Sequence, residues 1–275
     1  MEKKQKRFSD NKYRDKQNRR PEQTEEVNEC LVAGRNAVRE LLLGDRDIDK
    51  IFVQRGEREG SIVALIGMAS ERKIPIIEAD KTKLDAMTGG GRHQGIVALA
   101  ADHNYSSVDE ILEYAESIGE KPFIIMLDGV EDPHNLGAII RSAECLGAHG
   151  VIIPKRRAVG LTATVSKSSA GALEHMRVAR VTNLASTVDE LKEKGLWIYA
   201  ADMDGEPWCQ TDYTGATAFV IGNEGRGVGP LVLKKCDKTV AMPMTGKINS
   251  LNASVAAGIL MYEVARQRQG IKPIK

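Results

Sequence analysis

The chain has no apolar run approaching the roughly 18 residues that cross a bilayer, so no membrane-spanning segment is expected. It is charged from its second residue, which argues against a secretory leader. Cysteine is scarce: Cys30, Cys145, Cys209 and Cys236 are scattered and form no CxxC pair. That spacing argues against a disulfide framework and a zinc module, and suits a reducing cytoplasm. Five histidines, none at HxxxH or HExxH spacing, carry no metal-enzyme signature, and no metal is expected.

What remains describes a globular protein. Of its 275 residues, 42% are hydrophobic and 28% charged, enough for two domains or one large domain with an appendage. The net charge of +1 conceals an uneven distribution, because residues 1–20 hold nine Lys/Arg against Glu2, Asp10 and Asp15. With almost no apolar side chains this segment cannot bury enough surface to fold alone. Residues 1–28 are expected to be a basic, disordered tail, equally suited to touching phosphates and to keeping the chain soluble.

From 29 to 100 the pattern is that of a small α/β domain. GRNAVRELLL and SIVALIGMASERK place apolar residues at helical spacing, KIFV and PIIE are short strands, and GGGRHQGIVALA turns on glycines into another strand. Between Asp102 and Glu120 there are six acidic residues and no Lys or Arg. SVDEILEYAESIG within it reads as an amphipathic helix: an acidic linker over 101–121, or the first helix of the second domain. From 122 to 275 strands (FIIML, GVIIP, RVARV, LWIYA, FVIG, TVAMP) alternate with helices. Continuous apolar strands alternating with helices predict an α/β domain with a mostly parallel sheet covered on both faces. Ligands of such sheets sit beyond the carboxyl ends of strands, which directs attention to the loops after FIIML, FVIG and TVAMP.

The first loop, LDGVEDPHNLGAIIRSAECLGA, crowds Asp128, Glu131, Asp132, His134 and Asn135 before a helix that carries Arg141 at the border of its apolar face. A helix capped by Asn135, with Arg141 on a solvated face or partly buried against a partner, is one account of these residues, and a site is the other. The second, FVIGNEGRGVGP, delivers Asn223 and Glu224 from a strand end among glycines, which favours a site, although the dinucleotide pattern G-x-G-x-x-G is not met. The third, TGKINSLNASV, sets Ser250 and Asn252 before a long apolar helix. It lacks the GxxxxGK[ST] spacing of a phosphate loop, and no G-x-S-x-G elbow occurs elsewhere. Helix capping and a polar pocket at the helix N-terminus both remain open for it.

Taken in order, NLGAIIRSA, FVIGNEGRGV and MPMTGKINSLNASVAAGI resemble the three motifs of the SpoU (TrmH) family of RNA ribose 2′-O-methyltransferases, across essentially all of 122–268. GRNAVRELL and GGRHQGIVA are similar to the small RNA-binding domain of the family's RlmB-like branch. That resemblance implies S-adenosylmethionine as cofactor, a trefoil knot near the C-terminus and a homodimer with catalytic residues converging across the interface. It implies a guanosine ribose of large-subunit (23S) ribosomal RNA as substrate. It places Gly222, Met242 and Leu251, with Ile248 and Ala201, around the cofactor, and Asn135, Arg141, Glu224, Ser250 and Asn252 in the catalytic site. Arg141 as base and Arg141 as phosphate clamp, with Glu224 or solvent taking the proton, both stand. Transfer RNA as substrate, a non-catalytic RNA-binding protein, a resistance-conferring methyltransferase and a nucleotide-binding oxidoreductase are the alternatives.

Overall fold

A computed structural model describes residues 30–56, 60–248 and 250–271, and the basic tail expected over 1–28 lies outside them. The small unit is a four-stranded sheet in the order β1-β4-β2-β3, built from β1 (Leu31–Ala33), β2 (Ile48–Gln54), β3 (Ile76–Ala79) and β4 (Ile96–Ala100). Strand β2 alternates its side chains: Ile51 and Val53 meet Val38, Leu42, Ile62 and Leu65 of α1 (Arg35–Leu43) and α2 (Ser61–Glu71). Phe52 faces the other way, onto Leu84 of α3 (Lys81–Met87).

The large unit is a six-stranded, all-parallel sheet, as its uninterrupted apolar strands predict. Its strands are β5 (Phe123–Asp128), β6 (Gly150–Pro154), β7 (Arg177–Val181), β8 (Trp197–Pro207), β9 (Thr217–Gly222) and β10 (Lys238–Ala241), in the order β10-β8-β9-β5-β6-β7. Central β5 is buried on both faces. Ile125 and Leu127 join the cluster under α5 (Pro133–Cys145) and α9 (Ala253–Arg268), while Ile124 and Met126 join the one under α7 (Leu184–Glu193). Two short helices complete the unit, α6 (Ala163–Ser168) and α8 (Pro230–Lys235).

The acidic stretch is not an independent connector. Its helix α4 (Val108–Ser117) starts in a capping box between Ser107 and Glu110 and buries Ile111 and Ala115 completely. Ile111 packs in the same cluster as Ile124 and Met126, so by its packing α4 is the first helix of the large unit. Its acids line the solvent face.

The two units meet through charge. Arg180 of β7 pairs with the buried Asp49 of β2 and also donates to the carbonyl of Ile48 at 3.0 Å. The Tyr105 hydroxyl donates to the same Asp49 carboxylate, and the Tyr105 amide to Asp47 at 2.9 Å. Gly160 lies so close that a Cβ there would sit 2.1 Å from that carboxylate.

Strand order places the site. After β5 the chain runs outward to β6 and β7, whereas β9 lies on the other side of β5 and extends to β8 and β10. Asp128 pairs with Gly222 in register, so the loops leaving β5 and β9 emerge side by side at a switch point of the sheet.

Candidate functional site

Backbone geometry first locks those two loops together. Asp128 Oδ2 accepts from the Gly229 amide at 2.8 Å, and Asn223 Nδ2 donates to the Gly129 carbonyl at 2.9 Å. Asn223 and Gly227 exchange both backbone hydrogen bonds, at 3.1 and 2.8 Å, around a tight turn. The turn folds back onto Gly222 so closely that a Cβ there would lie 2.1 Å from the Gly227 carbonyl carbon. No side chain fits, which is what the glycine at the end of FVIG secures.

The third loop arrives through α9. Asn252 caps that helix, its Oδ1 accepting from the Ser254 and Val255 amides at 3.0 and 3.3 Å. Its Nδ2 remains to donate elsewhere and bridges Asn135 Oδ1 at 2.9 Å and Glu224 Oε1 at 2.7 Å. Asn135 Nδ2 donates to the same Glu224 oxygen at 3.0 Å, and the Ala253 amide adds a fourth contact to the cluster at 3.2 Å. Asn135 itself is held at the start of α5, where Pro133 opens the helix and Asp132 accepts from the His134 amide at 2.8 Å. Helix capping and a polar cluster therefore coexist in Asn252. Charge-assisted bonds of this kind are short and directional, and they fix Glu224 on one oxygen.

Beside the cluster lies a cleft of about 300 Å³. Gly222, Met242, Leu251, Ser250 and Ala201 line it, together with Glu224. Two sequence-predicted residues are placed elsewhere. Ile248 is 77% exposed and does not line the cleft, because its loop carries the side chain out to solvent. Arg141 is exposed six residues beyond Asn135, on another face of α5, and makes no hydrogen bond or ion pair among the described residues. It touches neither the cleft nor the cluster of its own chain. Asp202 and Met203 line the cleft unpredicted. They lie two and three positions past LWIYA, in the part of β8 that the apolar run does not mark, because the strand continues to Pro207. His134, in the same crowded loop, is exposed. Among the described residues no group of three or more His, Cys, Asp or Glu is placed to hold a metal ion, and no helix is long and apolar enough to cross a membrane.

Comparison with known proteins places the chain in a family. The model of the SpoU rRNA Methylase family matches residues 122–262, and that of RNA 2′-O ribose methyltransferase substrate binding matches residues 31–106. YacO of Bacillus subtilis (strain 168), a protein assigned to the TrmH family of tRNA/rRNA methyltransferases, is 48% identical over 87% of this chain and 96% of its own. The SpoU methyltransferase AviRb of Streptomyces viridochromogenes, crystallised with the cofactor AdoMet, superposes with a TM-score of 0.56 at 26% identity, over 87% of this chain and 90% of its own. A TrmH/SpoU tRNA modifying enzyme of A. aeolicus does so with a TM-score of 0.51 at 29% identity, over 59% of this chain and 84% of its own.

The cleft suits that cofactor. An adenosine needs an apolar slot edged by backbone polar groups, and Ile221, Val240, Met242 and Leu251 with the Gly222 turn provide one. A charged methionine moiety needs polar neighbours, which Asp202 and Glu224 supply. Fold, cleft, matched models and a relative at 48% identity over 87% of the chain lead to one conclusion: this protein belongs to the SpoU (TrmH) family of S-adenosylmethionine-dependent RNA ribose 2′-O-methyltransferases.

Proposed function

We propose that the chain methylates the 2′-hydroxyl of a guanosine in large-subunit ribosomal RNA, acting in the cytoplasm as a homodimer. A small RNA-binding domain over 29–100 would recruit the substrate, and the knotted domain, with α4 as its first helix, would carry out the transfer. The observation that carries the chemistry is the hydrogen-bonded joining of Asn135, Glu224 and Asn252 beside the cleft.

S-adenosylmethionine, when bound, supplies an electrophilic methyl group on a sulfonium. The chain's own residues have to align the ribose hydroxyl and relieve it of its proton. Glu224 Oε1 is occupied by three N–H donors, which leaves Oε2 without a partner among the described residues and able to take that proton. Asn135, Asn252 and Ser250 would hold the sugar beside it. Arg141, whose planar guanidinium fork matches phosphate oxygens, is assigned to a neighbouring phosphate. Its distance from the Glu224 cluster of its own chain is accounted for if it serves the partner protomer's site. The cofactor wall is assigned to Gly222, Met242, Leu251 and Ala201.

Transfer RNA is the second reading, supported by the tRNA/rRNA naming of the relatives. Incubating the protein with labelled S-adenosylmethionine and either large-subunit rRNA or bulk tRNA, both from cells lacking this gene, separates the two. Label in one rRNA guanosine, mapped by mass spectrometry, supports the first. Label in tRNA alone replaces it with the second.

A further inference from the structure

A broad trough takes no part in the site described above. It has a volume of about 990 Å³ and opens on the small domain, between the end of β2, the start of α3 and the glycine-rich 90–95 loop. Four of its described lining residues are basic (Arg35, Arg55, Lys81 and Arg92), and one, Asp85, is acidic. Asp85 is already engaged by the buried His93, whose Nε2 lies 3.0 Å from Oδ1 while Nδ1 accepts from the Gly95 amide at 3.0 Å. With Nδ1 accepting, Nε2 carries the proton, so the imidazole fastens the loop to α3.

Arg35 is preset. Its backbone amide donates to Gln94 Oε1 at 3.0 Å, its Nε to the Gln94 carbonyl at 3.2 Å and its Nη1 to Ser61 at 3.3 Å, which leaves Nη2 unspent. Gln94 holds a φ of +51°, a left-handed conformation that side chains disfavour and that persists where the surroundings over-determine it. Arg55 is partly offset, lying 4.0 Å from Glu78 and 3.6 Å from Asp80. Lys81 and Arg92 are exposed and have no partner among the described residues. An open, positively charged trough with a preset guanidinium and two unpaired cations suits an extended polyanion.

We propose that this trough grips the sugar-phosphate backbone of the substrate RNA at a point well away from the ribose that is methylated. The inference rests on the RNA methyltransferase reading and adds to it which surface of the small domain binds, and where. Asp49, at one end of β2, is clamped to the large domain by Arg180, whereas Gln54, at the other end, walls the trough. Five residues of strand span about 17 Å. The clamp holds the second contact at a fixed offset from the catalytic unit, so the protein selects RNAs whose fold presents backbone at that offset, a recognition by shape.

The test uses the full chain, the Lys81→Ala/Arg92→Ala double variant and the charge reversal Arg92→Glu, all checked for unchanged thermal midpoints. Direct binding to large-subunit rRNA is measured across a salt series. The double variant is expected to bind about tenfold more weakly at moderate salt, with the slope of log affinity on log salt shallower by about two. Its S-adenosylmethionine affinity and its kcat at saturating RNA should stay at wild-type values. On a short hairpin carrying only the target ribose, KM should be the same for wild type and variant. Unchanged affinity and slope would overturn the proposal, and so would an equal rise in KM on the short hairpin. Binding is read without turnover, so the two readings fail separately. A wild-type protein that bound rRNA yet methylated nothing would remove the methyltransferase reading and leave the trough judged by the same slopes.

Discussion

Asn252 Nδ2 donates to Asn135 Oδ1 at 2.9 Å across 117 residues of chain. The same amide group caps α9 through its oxygen, so one side chain both starts a helix and ties three loops together at Glu224. Structural and chemical roles are thus separable by choosing what replaces it.

Asn252→Ser keeps a capping oxygen and removes the bridging amide, whereas Asn252→Ala removes both. The alanine variant should lose about 1 kcal/mol of stability relative to wild type and the serine variant only a few tenths. Both should lose methyl transfer by about a hundredfold, since a misplacement near 1 Å at a reacting centre costs that much. Thermal denaturation and single-turnover rates measure the two effects. Wild-type turnover in the serine variant would reduce Asn252 to a helix cap.

Gly222→Ala forces a methyl group to within 2.1 Å of the Gly227 carbonyl carbon and 2.3 Å of the Val228 nitrogen, and both are backbone that cannot swing away. The turn has to shift, at about 1–3 kcal/mol. Calorimetric titration should show S-adenosylmethionine binding at least about tenfold more weakly, with the cost carried in the cofactor wall. Undiminished cofactor affinity would take this turn out of the cofactor site.

How far the sequence discloses this site depends on the range of each signal. Strand β5 and its loop are legible because Phe123–Leu127 form an unbroken apolar run ending in polar residues. Gly222, Met242 and Leu251, placed around the cofactor by the family resemblance of their motifs, do line the cleft. Ile248 is placed there by the same resemblance, and the path of its loop turns the side chain outward. A count of acids makes 101–121 look like a linker, since charge does not reveal that Ile111 and Ala115 share a buried face. The Asp49–Arg180 pair spans 131 residues, and no local pattern could announce it.

Arg141→Ala should abolish methyl transfer while leaving cofactor affinity and stability close to wild type. An exposed residue without contacts contributes at most about 0.5 kcal/mol to the fold. Mixing Arg141→Ala with Glu224→Gln subunits tests whose site it serves. If the two residues act across a dimer interface, each mixed dimer has one intact site and the mixture regains activity. If they act within one chain, every site is damaged and no activity returns.

The Asp49–Arg180 clamp makes the last prediction, and its sign follows from burial. Arg180→Met leaves a buried carboxylate without its cation, at a cost of about 3–5 kcal/mol near neutral pH. The double variant Asp49→Asn/Arg180→Met should recover most of that loss, since neither charge then needs a partner. Desolvation by burial holds the Asp49 carboxyl above the usual carboxylate range even against the pull of the Tyr105 hydroxyl and Arg180. The native state therefore binds this proton more tightly than the unfolded chain does. Its contribution to stability grows as pH falls through the raised value and shrinks as pH rises above it. Removing Arg180 takes away one of the forces that lower that value, so the single variant's deficit should narrow between about pH 7 and about pH 5, while the double variant, with no carboxyl to titrate, should show no such recovery. Urea unfolding of wild type, the Arg180→Met variant and the double variant at the two pH values measures this directly. A deficit that stays constant or widens on acidification would mean that Asp49 does not titrate as its burial requires.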